Sequence, residues 1–223
     1  MKIKYPRTKH LPWSLGATSD DKVLKDTLCF IDKTVVITEK LDGENSTLAR
    51  DYYHARSLDS KDHPSRSWIK QFHASIQHEI PEGWRICGEN MYARHSIAYD
   101  NLKSYFYCFS IWDENNYCIP WNDTVDFCNL LGIEHVPVLS EPFLWHPWLV
   151  TSIDDNDFVG YDPETQEGYV IRNVDRFHYD DFENNVAKFV RKNHVQTDQH
   201  WMYSTIIPNR LISNAIPSAE KIN

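Results

Sequence analysis

The sequence predicts an α+β protein whose sheets are largely antiparallel and flanked by helices. Three observations lead there. Short β-branched and aromatic runs recur along the chain, bounded by Gly, Pro, Asn and Asp. Residues 65–80 and 121–131 carry the pattern of helices. Strands and helices are interspersed without the regular βαβ order of a parallel sheet. At 223 residues the chain suffices for one large domain with a small appendage.

The elements follow in order. Residues 1–30 mix Pro, Trp and charge, and read as an ordered lead-in that ends in a short helix near 20–28. Val35-Val36-Ile37 marks a strand over 34–39. Two more strands, 46–50 and 52–57, meet tightly at Asp51. Trp68, Ile69, Phe72 and Ile76 recur at helical spacing, and Pro81 with Gly83 ends that helix. Strands return at 84–92 and 105–112, and 117–119 pairs back after the turn Asp113-Glu114-Asn115-Asn116. The helix over 121–131 has Asn122 or Asp123 as its cap and Gly132 as its stop. A short extended piece covers 136–139, and 142–157 reads as a helix plus loop. Strands follow at 168–173 and 185–191. The polar, aromatic residues from 194 onward form a short, partly helical tail, with a small helix at Trp201-Met202-Tyr203. The division expected is a lead-in 1–30, a core 31–193 and a tail 194–223.

Composition narrows the function. The formal net charge of −9 argues against non-specific coating of nucleic acid, so a polyanion must be gripped by a few placed Lys and Arg. No apolar run is long enough to span a membrane, and the N-terminus lacks a secretory signal. The five cysteines are odd in number and lack zinc spacing, which predicts free thiols in a cytoplasmic protein. Asp154-Asp155-Asn156-Asp157 lacks the glycine and distal glutamate of a calcium loop. His194 and His200 are six residues apart, a poor metal spacing. The cluster Trp145 to Trp148 reads as packing.

Four charged sites embedded in strands stand out. Lys40 leaves the run Val35-Val36-Ile37 and enters Leu41-Asp42-Gly43. Glu89 lies within Ile86-Cys87-Gly88-Glu89-Asn90. Glu167 opens Gly168-Tyr169-Val170-Ile171-Arg172, and Lys188 sits within Val186-Ala187-Lys188-Phe189-Val190. A buried charge without a partner is costly, so each alone reads as an ion pair. Together, two carboxylates, a reactive lysine and distal cations are what a metal–nucleotide site needs. An ordinary lysine is protonated at neutral pH. A nucleophilic one needs desolvation, nearby cations or a metal to favour the free amine.

This ordered set, from about 34 to 192, resembles the ATP-dependent RNA ligases of the covalent nucleotidyltransferase superfamily. Glu39-Lys40-Leu41-Asp42-Gly43 resembles their first motif, with Lys40 the adenylylated residue, and Arg56-Ser57 resembles the arginine element that follows. Gly88-Glu89-Asn90 resembles the third motif, and Tyr107-Cys108-Phe109-Ser110-Ile111 the strand whose aromatic residue stacks on adenine. Glu167-Gly168-Tyr169-Val170-Ile171-Arg172 resembles the fourth motif. The fifth offers Lys188, Arg191 and Lys192, with Val190 where many relatives have a second lysine; Lys188 with Arg191 is the favoured pair.

The resemblance implies the nucleotidyltransferase fold, without an oligonucleotide-binding-fold domain because the tail is short. It implies ATP and Mg²⁺ (or Mn²⁺) as cofactors. Glu167 would hold the metal and Asn45 would order its water. Glu89 would bond the ribose, Phe109 would stack on the base, and Thr38, Glu39 and Leu41 would border the adenine. Lys188 and Arg191 would hold the α-phosphate or the leaving group, and Arg56 a phosphate of ATP or RNA. The implied activity is joining of RNA 5′-phosphate and 3′-hydroxyl ends through lysyl-AMP, in RNA repair, by a monomer aided by a separate end-healing kinase–phosphatase. Competing readings are a minimal DNA ligase, a capping guanylyltransferase, and a non-catalytic descendant that only binds nucleotide or RNA ends.

Overall fold

The computed structural model describes residues 2–59, 62–146, 160–192 and 206–212. In chain order the strands are β1 (Lys9–His10), β2 (Thr34–Lys40), β3 (Glu44–Ala49), β4 (Tyr52–Ala55), β5 (Arg85–Asn90) and β6 (Phe106–Trp112). They continue with β7 (Tyr117–Cys118), β8 (Glu134–His135), β9 (Val138–Leu144), β10 (Gly168–Asn173), β11 (Phe177–His178) and β12 (Val186–Val190). The helices α1 (Ser67–Ile76) and α2 (Trp121–Leu131) lie between strands. The first sheet runs β1-β12-β10-β2-β9, and the second β11-β7-β6-β5-β3-β4, with β8 added beside β6. Pairing is antiparallel except at β1–β12 and β6–β8. No helix among the described residues is long and apolar enough to cross a membrane.

Alternation sorts the first sheet into two faces. Val35, Ile37, Tyr169, Ile171, Ala187 and Phe189 are buried against Leu11, Phe30 and Trp145. The other face carries Thr38, Val170 and Lys188 in one cross-strand row that ends at His10. Both faces are covered, so these strands read as continuous apolar runs interrupted by single charges. The second sheet buries Leu48, Ile86, Phe106 and Ile111 beneath Ile69 and Ile76 of α1 and Cys128 of α2.

Most expected elements occur within a residue or two of their predicted bounds; 168–173 and 121–131 match theirs. Gly132 stops α2 in the left-handed region at φ 65°. The cap differs. Pro120 precedes α2, and the Trp121 amide donates to Val174 O at 2.8 Å, so a neighbouring carbonyl replaces the expected Asn122 or Asp123 side chain. The helix expected over 65–80 is α in its middle and 3₁₀ at both ends. No helix forms over 20–28 beyond a 3₁₀ turn from Leu28 to Phe30. The His10 amide donates to Lys22 O and the Leu24 amide to His10 O, which ties this segment alongside β1 as extended chain.

Pro142 lies in a strand, not at the start of a helix. Strand β9 is at a sheet edge, and its pairing with β2 is irregular between Val35 and Ile37. A residue without an amide hydrogen is tolerated there. Trp145 is fully buried, as packing requires. Trp148, Asp154 to Asp157, and the tail residues His194, His200 and Trp201 to Tyr203 lie outside the described residues. All five cysteines are free.

One close approach fixes the first sheet. A Cβ at Gly168 would lie 2.0 Å from Phe189 O, inside the β10–β12 ladder. Gly168→Ala must therefore separate these strands. It is expected to lower stability by about 1–3 kcal/mol, read as a lower urea midpoint. An unshifted midpoint would contradict the packing described.

Candidate active site

The two sheets enclose a cleft of about 1280 Å³. Lys40 ends β2, and its backbone partner is Gly168, so Glu167 arrives beside it. Lys40 Nζ donates to Glu167 Oε2 at 2.6 Å. The Glu167 side chain is only 4% exposed, whereas that of Lys40 is 23% exposed. Burial pulls the Lys40 ammonium down, but Glu167, Glu89 and Asp42 outweigh it, and the net direction is up. Without a bound cation, then, these surroundings hold the proton on Lys40. The carboxylates reverse the neutral amine expected from desolvation.

Glu89 enters from the second sheet. Its register partner is Asn45 on β3. Burial pushes its carboxyl up to about 8; Lys40 opposes this, Glu167 and Asp42 reinforce it, and the Gly43 amide donates to it. The approach is close: a Cβ at Gly43 would lie 2.6 Å from Asn90 O and 3.0 Å from Glu89 Cγ. This is why glycine follows Asp42.

Asp42 does not face the cleft as a free acid. It is buried, and its Oδ2 accepts from Ser96 N at 2.9 Å, Ser96 Oγ at 2.7 Å and Ile97 N at 2.8 Å. The turn after the lysine is thereby fastened to the loop after Glu89.

Lys188 reaches the cleft from β12. Burial pulls its ammonium down to about 8, and the charge of Lys40 acts in the same direction. Thr38 and Leu41 are buried in the cleft wall, and Arg56 is exposed on it. Glu39 also borders the cleft; burial raises its carboxyl, and Gln166 donates to it. Phe109 lies opposite the irregularity between Cys87 and Gly88. Its ring meets that of Tyr5 edge-on at 5.0 Å between centroids.

Arg191 stands apart from this group. It follows the end of β12, and its guanidinium donates to Pro163 O at 3.0 Å. Neither Arg191 nor Lys192 lines the cleft. Of the expected cationic pair, the structure brings only Lys188 to the others.

Several wall residues carry no local signal in the sequence. Residues 4–8 form one side of the cleft. Arg66 makes a buried bidentate ion pair with Glu44, including Nε to Oε2 at 2.9 Å. Arg172 is buried, donates to Phe109 O and to Cys118 Sγ, and lies 5.1 Å from the centre of the Trp121 ring. It ties the Phe109 backbone to the first sheet. Its place in the fourth-motif strand was visible; its partners were not.

The donor set suits a magnesium-like ion better than zinc. No cluster of three or more His, Cys, Asp or Glu able to hold a metal occurs among the described residues. Mg²⁺ commonly takes one or two carboxylates and completes its shell with water and phosphate oxygens. Asn45 Oδ1 is buried without a hydrogen-bond partner, which leaves an acceptor for such a water.

No curated protein matches the chain. Among solved structures it resembles an archaeal ATP-dependent RNA ligase, with a TM-score of 0.55 and 15% identity over 84% of this chain and 48% of that one. A Naegleria gruberi RNA ligase with PPi gives 0.51 and 16%, over 86% of this chain and 61% of that one. A putative ATP-dependent DNA ligase from Aquifex aeolicus gives 0.54 and 16%, over 84% and 50%. At these identities the likeness shows the fold, and the chain spans about half to three-fifths of the length of these structures. The family model for RNA ligase matches residues 33–190, the stretch that carries Lys40, Glu89, Glu167 and Lys188, and the chain belongs to that family.

Proposed function

We propose that the protein is an ATP-dependent RNA ligase that joins 5′-phosphate and 3′-hydroxyl ends through a lysyl-AMP intermediate. The observation that carries this reading is the meeting of Lys40, Glu89 and Lys188, from three strands of two sheets, with Glu167, just before β10, in one cleft. A nucleotide binder has no need of a lysine poised against two acids.

Lys40, held by Glu167 at 2.6 Å, must first lose its proton to solvent. A divalent cation, Mg²⁺ or Mn²⁺, associated with Glu167 and with Asn45 through water, would offset the carboxylates that hold this proton and polarise the α-phosphate. Lys40 Nζ then bonds to the α-phosphorus as the bond to the bridging oxygen breaks and pyrophosphate leaves. In this reading Lys188 would meet phosphate charge, Glu89 the ribose, and Phe109 the base, beside Thr38, Glu39 and Leu41. In the second step a 5′-phosphate oxygen of RNA attacks that phosphorus, and the bond to Lys40 breaks. In the third, the 3′-hydroxyl attacks the 5′-phosphate and AMP departs. Positioning and charge neutralisation supply the catalysis. A repair role, with a separate enzyme preparing the ends, fits this demand for 5′-phosphate and 3′-hydroxyl termini.

Lys40→Ala is expected to abolish the protein–AMP adduct formed from α-labelled ATP and metal. An adduct that persists on another residue would end the assignment. Matched RNA and DNA ends then separate an RNA ligase from a DNA ligase, and GTP labelling would identify a guanylyltransferase.

Two pH effects follow. Glu89 keeps its proton in the folded chain up to about pH 8, whereas the unfolded chain releases it near the ordinary value of 4.5. The folded state binds more protons between these limits, so this group's contribution to stability falls as pH rises, by roughly 1.4 kcal/mol per unit at most. Urea unfolding should show Glu89→Gln gaining on the parent from pH 5 to 8; parallel curves would refute it. Lys188, with its ammonium near 8, should take up a proton when a polyphosphate binds at pH 8. Calorimetry of pyrophosphate binding in buffers of different ionisation enthalpy should register that uptake, and Lys188→Met should lose it.

A further inference from the structure

We propose that the loop at residues 93–97 is the docking site for the 5′-phosphorylated RNA strand, with Arg94 as its phosphate contact. The proposal rests on the ligase reading and adds a substrate site to it.

The backbone of this loop is heavily committed. Asp42, two residues after Lys40, holds Ser96 and Ile97 through three hydrogen bonds. From the other side, the Arg94 amide donates to Ile207 O at 2.8 Å, and Ala93 bridges to Pro208. Asn209, which is buried, secures both flanks. Its amide donates to Tyr92 O, its Nδ2 to Met91 O, and its Oδ1 accepts from the Tyr99 amide. Few surface loops are pinned so fully, and this one borders the cleft with Ala93, Arg94, His95 and Ser96.

The Arg94 side chain, in contrast, is uncommitted. It is exposed and makes no ion pair or side-chain hydrogen bond among the described residues. Three other cleft arginines are engaged, Arg7 with Asp21, Arg66 with Glu44 and Arg172 with Phe109 O, which leaves Arg56 and Arg94 exposed to the cleft, and only Arg94 stands on the loop that Asp42 and Asn209 pin. A rigid backbone that presents a free guanidinium is preorganised for a ligand. The ligand is anionic, and the planar fork of Arg suits two phosphate oxygens at once.

Charge and place choose the anion. Lys40 and Lys188 reach into the cleft from the first sheet, while Arg94 borders it from the loop fastened to the Lys40 turn. Two phosphates must come to Lys40 from outside, that of ATP and the RNA 5′ end; Lys40 and Lys188 stand for the first, and Arg94, on the rim, for the second. A chain of net charge −9 repels RNA over most of its surface, so local cations must draw that end in.

The test separates the steps. Purified full-length parent, Arg94→Gln and Arg94→Lys are checked for equal melting temperature, labelled with α-labelled ATP, and mixed with RNA in a single turnover. Arg94→Gln is expected to slow AMP transfer to 5′-phosphorylated RNA by about tenfold or more. Its slowing of Lys40 labelling should be no more than about twofold, and Arg94→Lys should fall between parent and Gln. Binding of 5′-phosphorylated RNA should weaken and that of 5′-hydroxyl RNA should not. Parental transfer by Arg94→Gln, equal slowing of both steps, or equal weakening on both RNAs would overturn the site while leaving the ligase reading intact. Failure of the parent to label with any nucleoside triphosphate would instead remove the ligase reading.

Discussion

The Lys40–Glu167 ion pair is the interaction on which the site depends. It exists because β2 and β10 pair with Lys40 opposite Gly168, which delivers the preceding glutamate to the amine. A slip of one residue would turn both side chains to the opposite face. The pair also sets the charge state of the amine. Glu167, with Glu89 and Asp42, holds the proton on Lys40, and a cation entering the cleft would oppose them.

The rest of the cleft is arranged around that contact by close backbone approach. Gly43 lets the turn touch the Glu89 strand, and Gly168 lets β10 touch β12. Asp42 then fastens the turn to the loop after β5 through Ser96 and Ile97. The motif Lys40-Leu41-Asp42-Gly43 is therefore a mechanical unit. One residue pairs with Glu167, one fills the wall, one anchors, and one makes room.

Much of this was legible in the chain itself. Lys40, Glu89, Glu167 and Lys188 were visible because each is a single charge in or at the end of an apolar strand, and burial without purpose is costly. Arg191 lies outside the group of cleft residues for a reason of parity. Lys188 and Val190 share one face of β12, while Arg191 lies past its end and turns to Pro163. The ion pair of Arg66 with Glu44 spans 22 residues, and that of Arg7 with Asp21 spans 14, so no local window displays either. Residues 142–157 read as a helix plus loop, but Pro142 lies in an edge strand, which accommodates it. The segment after Asp20 looked helical until β1 claimed its backbone groups.

The parallel pairing of β1 with β12 has a consequence for how the protein comes into being. Lys9 pairs with Ala187, so one of the earliest strands to leave the ribosome waits for the last strand of this sheet. Contacts this distant in sequence form late and slowly. A growing chain therefore carries Lys40 on β2 long before β12 brings Lys188 to the same cleft. The cleft is complete only when the most distant strands of this sheet have met.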